Sequence, residues 1–122
     1  MIRSPFAAIM REAVEGTPGA IGGAFAAADG ETVDLFAAAD RDEWAIFTAH
    51  YGIVLNFVRN ALNVFHYGDA EFMLLCHTGV DVLVRAVGDG YYALMAVRTP
   101  SPLGVAMARL DRAARKLREE MA

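Results

Sequence analysis

The sequence predicts an α+β domain, residues 1–122 taken as one unit, whose elements run α-β-β-α-β-β-β-α. Three observations carry this reading. Apolar residues recur at helical spacing in three segments. Between them lie five short apolar runs, most joined by turn-forming residues built on glycine. Along the strand Val80–Val87 both alternating faces are largely apolar, so the sheet needs cover on both sides, and helices are the available cover.

The first helix is expected from Pro5 to about Glu15. Ser4 can cap it, Pro5 suits its first turn and Gly16 can end it. Phe6, Ile9, Met10, Ala13 and Val14 define its apolar face. After the loop Thr17-Pro18-Gly19 come two strands, Ala20–Ala28 and Thr32–Ala38, joined through Asp29-Gly30-Glu31. Asp-Gly between two apolar runs is a hairpin signal, because both residues tolerate positive φ. The first strand is small-sided, with Gly22, Gly23, Ala24, Ala26, Ala27 and Ala28. Close packing of a helix on the sheet explains this; a phosphate loop does not, since Gly19, Gly22 and Gly23 fail the GxGxxG spacing and no Gly-Lys-Ser/Thr follows.

The central helix, Asp42–His66, carries the most information. On a wheel of about 100° per residue, Thr48, Gly52, Asn56, Arg59, Asn63 and His66 fall within one arc of roughly 80°. Apolar residues cover an arc of about 200°, twice what packing on a single layer needs. The expectation is that Phe47, Val54, Val58, Ala61 and Phe65 lie on the sheet. Ile46, Ile53, Phe57 and Val64 then need a second partner, and the same helix of a second protomer supplies it. His50 projects from the middle of the apolar arc and is expected at that packed interface.

Three strands follow: Glu71–His77, Val80–Val87 and Tyr91–Arg98, an antiparallel meander turning at Thr78-Gly79 and Gly88-Asp89-Gly90. Val80, Val82, Val84 and Ala86 are placed on one face and Asp81, Leu83, Arg85 and Val87 on the other. The last helix runs from Pro102 to about Met121, with Ser101 as its N-cap. Its seam of Leu103, Met107, Leu110, Ala114, Leu117 and Met121 suits a helix laid along a sheet or beside the first helix; a short coiled coil is the alternative.

Bulk properties narrow the partners. The hydrophobic fraction is 56% and the mean hydropathy +0.31, so a chain this small is expected to bury apolar surface against another chain. No window reaches the roughly eighteen apolar residues of a membrane span, and Met1–Pro5 lacks the features of a secretory signal. A cytoplasmic location, without membrane insertion, is therefore expected. Cys76 is the single cysteine, which excludes an internal disulfide framework. A net charge of −4, with Lys116 the one lysine among 11 basic residues, argues against nucleic acid. Arg109, Arg112, Arg115, Lys116 and Arg118 are interleaved with Asp111 and followed by Glu119 and Glu120, as expected of a solvated helix face.

Nothing in the residues assembles a catalytic or metal site. His77 adjoins Cys76, but neighbouring strand residues point to opposite faces and cannot share a metal. The chain lacks HxxxH, CxxC and GxSxG patterns. Cys76, inside an apolar strand, reads as packing, and Asp29, Asp69 and Asp89 sit at turns. No enzyme activity, cofactor or metal is expected.

At this point the residues resemble a family. The element order, together with Ala24-Phe25-Ala26-Ala27-Ala28-Asp29-Gly30-Glu31-Thr32-Val33-Asp34, Ala49-His50-Tyr51-Gly52-Ile53-Val54-Leu55, Tyr91-Tyr92-Ala93-Leu94-Met95-Ala96-Val97 and the stretch from Pro102-Leu103-Gly104 to Leu117-Arg118-Glu119-Glu120, resembles prokaryotic members of the roadblock/dynein light-chain family. The resemblance implies a five-stranded antiparallel sheet, with the central helix on one face and the terminal helices on the other. It implies a homodimer that pairs edge strands and central helices, which places Glu71, Met73 and Leu75 at the protomer junction beside Ile46, His50, Ile53, Phe57 and Val64. It further implies a scaffold or regulator of a small Ras-like GTPase, some members acting by rearranging the switch regions without inserting a catalytic residue. A central-helix pair is expected to present Thr48, Asn56, Arg59 and Asn63 outward, toward the GTPase. The other readings are an adaptor with no GTPase partner and a profilin-like or PAS-like sensor, which needs a core cavity with convergent polar groups.

Overall fold

A computed structural model describes residues 4–122. Met1–Arg3, part of the stretch read as lacking a secretory signal, lie outside the described residues. The elements are α1 (Pro5–Glu15), β1 (Ala20–Ala26), β2 (Thr32–Ala37), α2 (Arg41–Leu62, continued by a 3-10 turn over Asn63–Phe65), β3 (Phe72–Cys76), β4 (Val80–Gly88), β5 (Tyr91–Arg98) and α3 (Leu103–Met121). The expected order holds, with boundaries moved by one or two residues at most elements.

The strands form one antiparallel sheet in the order β2-β1-β5-β4-β3. α1 and α3 cover one face, and α2 lies on the other. Alternation along β4 sorts its residues as expected: Leu83 and Val87 join the α1/α3 layer, while Val82 and Val84 join the α2 layer. The two adjacent glycines of β1 divide in the same way. A Cβ on Gly23 would meet Met10 Cε at 2.9 Å and Val14 Cγ2 at 3.0 Å on the α1 side, whereas one on Gly22 would strike the Trp44 ring of α2. Close packing, one helix per glycine, accounts for the small-sided strand.

Ser4 caps α1 as expected, its Oγ accepting from Phe6 N at 3.1 Å and Ala7 N at 3.4 Å. Asp40 caps α2, accepting from Asp42 N and Glu43 N. The expected cap of α3 is corrected: Pro102 occupies the cap position, and the Ser101 hydroxyl donates instead to Asp81 Oδ2 at 2.6 Å. That buried-edge carboxylate is the stronger acceptor, and the helix starts without a side-chain cap. In α3, Leu110, Ala114 and Leu117 of the predicted seam are buried with Ala106 and Ala113, while Met107 is exposed. The seam lies on the sheet and beside α1.

The basic cluster on α3 is a solvated face laced to its neighbours. Lys116 Nζ donates to Glu12 Oε2 at 2.9 Å, Arg112 pairs with Glu12, and Arg115 and Arg85 pair with Asp111. The Lys116 hydrogen bond holds the Glu12 carboxyl below the usual carboxylate range. Exposed pairs of this kind add little to stability.

Candidate interaction surface

The orientation of α2 overturns one expectation and sharpens another. The residues turned to the sheet are Trp44, Thr48, Gly52 and Leu55, all buried. Two of these belong to the polar stripe expected at the surface. Thr48 is 0% exposed, its hydroxyl donating back to the Trp44 carbonyl at 2.7 Å. Asn56 Nδ2 donates to the Ala28 carbonyl at 2.8 Å. Arg59 donates through Nε to Asp69 Oδ1 at 3.0 Å and through Nη1 to the Gly90 carbonyl at 3.2 Å. The outward presentation of Thr48 is therefore corrected; Asn56 and Arg59 are half-buried and tied to neighbouring groups, and Asn63, where α2 passes into the 3-10 turn, is exposed. The physical reason is close approach. A helix resting on a sheet at short distance needs small groups at the contact, and the polar side chains flanking them find main-chain partners at the sheet end.

The complement of that stripe is apolar and uncovered. Ile46 is 60% exposed, Ile53 59%, Phe57 75% and Val64 69%. Val54, Ala61 and Phe65, expected on the sheet, are exposed as well, and Phe47 and Val58 are half-buried. Soluble proteins rarely leave large apolar side chains contiguous at the surface unless another surface covers them. His50 stands on this face, exposed, its Nδ1 2.8 Å from the Ile46 carbonyl, a short link that fixes the ring along the helix.

β3 is an edge strand of the sheet. Glu71 is exposed immediately before it, its carbonyl accepting from Ala86 N, while Met73 and Leu75 are half-buried opposite Val84 and Val82. Tyr51 and His77 tie the helix to the end of this strand, with Oη and Nε2 2.7 Å apart. Helical periodicity carries no signal for that pair, because the residues lie on different elements. Tyr67, 90% exposed and stacked on Phe65 with centroids 6.0 Å apart, also extends the apolar surface beyond the helix, where a periodic reading ends.

Chemistry on this surface is muted. Cys76 is exposed rather than packed inside the sheet, a consequence of its place near the end of an edge strand. Its thiol is pushed above its ordinary value, first by the hydrogen bond with Asp81, its cross-strand partner, so little thiolate forms near neutrality. Among the described residues no three His, Cys, Asp or Glu side chains gather into a metal-binding group. A depression of about 400 Å³ lies under the connection that follows α2, lined by Val58, Leu62, Phe65, Tyr67 and the Arg59–Asp69 pair. It opens at the surface, away from the sheet core. No helix among the described residues is long and apolar enough to cross a membrane.

No protein-family model and no curated protein sequence matches the chain. Solved structures do. A roadblock/LC7 domain from Streptomyces avermitilis superposes with a TM-score of 0.89 at 16% identity, over 97% of this chain and 98% of that one. An MglB with a tetrameric arrangement gives 0.84 at 12% identity, over 98% and 92%. The gliding protein MglB from Thermus thermophilus gives 0.84 at 12% identity, over 100% and 96%. The chain has the roadblock/LC7 fold, with α2 alone on one face of a five-stranded antiparallel sheet.

Proposed function

We propose that the protein is a non-catalytic homodimer that regulates or scaffolds a small Ras-like GTPase. The observation that carries this reading is the apolar face of α2 turned away from its own sheet, with Ile46, Ile53, Phe57 and Val64 uncovered. A two-fold pairing of α2 with its copy buries that face and brings His50 into the contact. The β3 edge, with Glu71, Met73 and Leu75, extends the same interface. The tetrameric arrangement of one MglB of this fold supports self-association, and the gliding role of another fits the small GTPase partner that the family resemblance implies.

The regulator acts through its surface rather than by supplying a reactive group. Arg59, the natural candidate for an inserted cation, is held by Asp69 and the Gly90 carbonyl and is not free to reach a nucleotide. Stimulation of hydrolysis, where it occurs, then comes from rearranging the switch regions of the GTPase.

Sedimentation tests the reading. The purified protein is run alone and with a candidate GTPase loaded with GDP or a GTP analogue. A dimer that shifts only with the GTP form supports a nucleotide-selective regulator. A dimer blind to both forms moves the assignment to an adaptor, and a monomer removes the basis for either.

A further inference from the structure

The two edges of the sheet are finished differently. An edge strand offers unpaired main-chain groups to any other strand, and folded proteins obstruct edges that must stay unpaired. At the β3 edge, the Glu71 carbonyl accepts from Ala86 N and His77 N donates to the Val80 carbonyl, so these residues turn their main chain toward β4. By alternation Phe72, Leu74 and Cys76 turn theirs outward. No side chain among the described residues hydrogen-bonds to those outward groups.

At the centre of the β2 edge the outward groups of one residue are already occupied. Leu35 lies at the middle of β2, opposite Ala24. Its N–H donates to Asp34 Oδ1 at 2.8 Å, and its carbonyl accepts from Arg41 Nη1 at 3.3 Å. Arg41 Nη2 meets the same Asp34 oxygen at 3.0 Å, closing a ring of two side chains around one residue's donor and acceptor. The clasp is anchored, because Arg41 is the first residue of α2 and Asp40 caps that helix.

We infer that Asp34 and Arg41 close the β2 edge to strand addition by a second copy of this chain, so that the sheet cannot grow from that side. An incoming strand needs one donor and one acceptor at the centre of β2, and must first displace an ion pair to reach them. The device limits assembly: a protein whose sheet was open at both edges would polymerise, whereas one closed edge ends the series. The inference concerns β2 alone and does not rest on the proposed dimer.

The test compares the wild-type protein with Asp34→Ala/Arg41→Ala by sedimentation over a range of concentrations, with circular dichroism as the folding control. The double variant is expected to gain at least about twofold in weight-average mass at high concentration. Arg41→Ala alone, which alters an exposed side chain and leaves the helix cap in place, is expected to show a smaller gain and decides the matter where the double variant does not fold. Adding Val33→Lys, an edge charge on a 42% exposed residue, is expected to return the double variant to wild-type mass. Folded variants that keep the wild-type mass would overturn the inference, as would a triple variant as large as the double. A monomeric wild-type protein contradicts the dimer but leaves this comparison intact.

Discussion

The Tyr92 hydroxyl donates a hydrogen bond of 2.9 Å to the main-chain carbonyl of Thr48, joining the middle of the sheet to the middle of α2. Tyr92 and Thr48 are both 0% exposed. One turn along the helix stands Gly52, where a Cβ would overlap the Tyr92 hydroxyl. The bond and the missing side chain together set how α2 is rotated, and that rotation decides which of its faces meets another molecule.

Gly52→Ala is therefore expected to destabilise the protein, although alanine is the better helix former by about 1 kcal/mol. Overpacking a closed contact costs about 1–3 kcal/mol, which exceeds the helix gain. Chemical denaturation reads the loss. Tyr92→Phe in the same chain removes the overlapping oxygen, and the double variant is expected to recover part of it. A fully additive cycle would disconnect the two residues.

This relationship explains where the sequence is legible and where it is not. Element order, hairpins and the Ser4 cap rest on local signals: turn residues, caps and period. The direction of α2 does not, because the wheel shows two candidate faces and hydrophobicity alone prefers the wrong one for the core. Thr48 and Gly52 are small before they are polar, and their size suits the close approach to Tyr92. The apolar arc is too wide for one layer, as its width indicates, but its division between sheet and partner is inverted at Val54 and Phe65. Ser101 likewise has the local pattern of a cap, because its acceptor, Asp81, lies 20 residues away in sequence.

Arg59 is expected to matter for stability. Its side chain is 15% exposed and joins α2 to Asp69 and to the turn before β5. Arg59→Ala should cost roughly 1.5–3 kcal/mol, the range for hydrogen bonds to charged groups. Arg59→Lys should rescue little of this, because an ammonium cannot serve two diverging acceptors as a guanidinium does. Unfolding curves for the three proteins check the ranking.

Alkaline pH should weaken the fold through its buried tyrosines. Burial pushes the Tyr92 hydroxyl from its ordinary 10.0 up to about 12, with the Asp29 carboxylate adding to the shift, and burial raises Tyr51 too. A phenol that holds its proton more tightly when folded contributes fully below pH 10.0. That contribution is lost as pH rises through the folded value. Unfolding free energy is expected to fall between pH 10.0 and about 12, and Tyr92→Phe should flatten much of that slope.

Cys76 should alkylate slowly at pH 8 for an exposed thiol, since Asp81 suppresses its ionisation and thiolate is the reactive form. Asp81→Asn removes the carboxylate and is expected to speed reaction with iodoacetamide severalfold. Equal rates would show that the pair does not control the thiol.

The central claim is that the exposed face of α2 is closed by a second copy of the chain. Sedimentation equilibrium of the wild-type protein beside Phe57→Asp tests it most directly, because Phe57 is 75% exposed and its replacement leaves the protomer core untouched. A wild-type mass of twice the 13.2 kDa protomer and a folded, monomeric Phe57→Asp are expected. A wild-type protein that stays monomeric at every concentration, or a variant that pairs as tightly as the wild type, would contradict the claim.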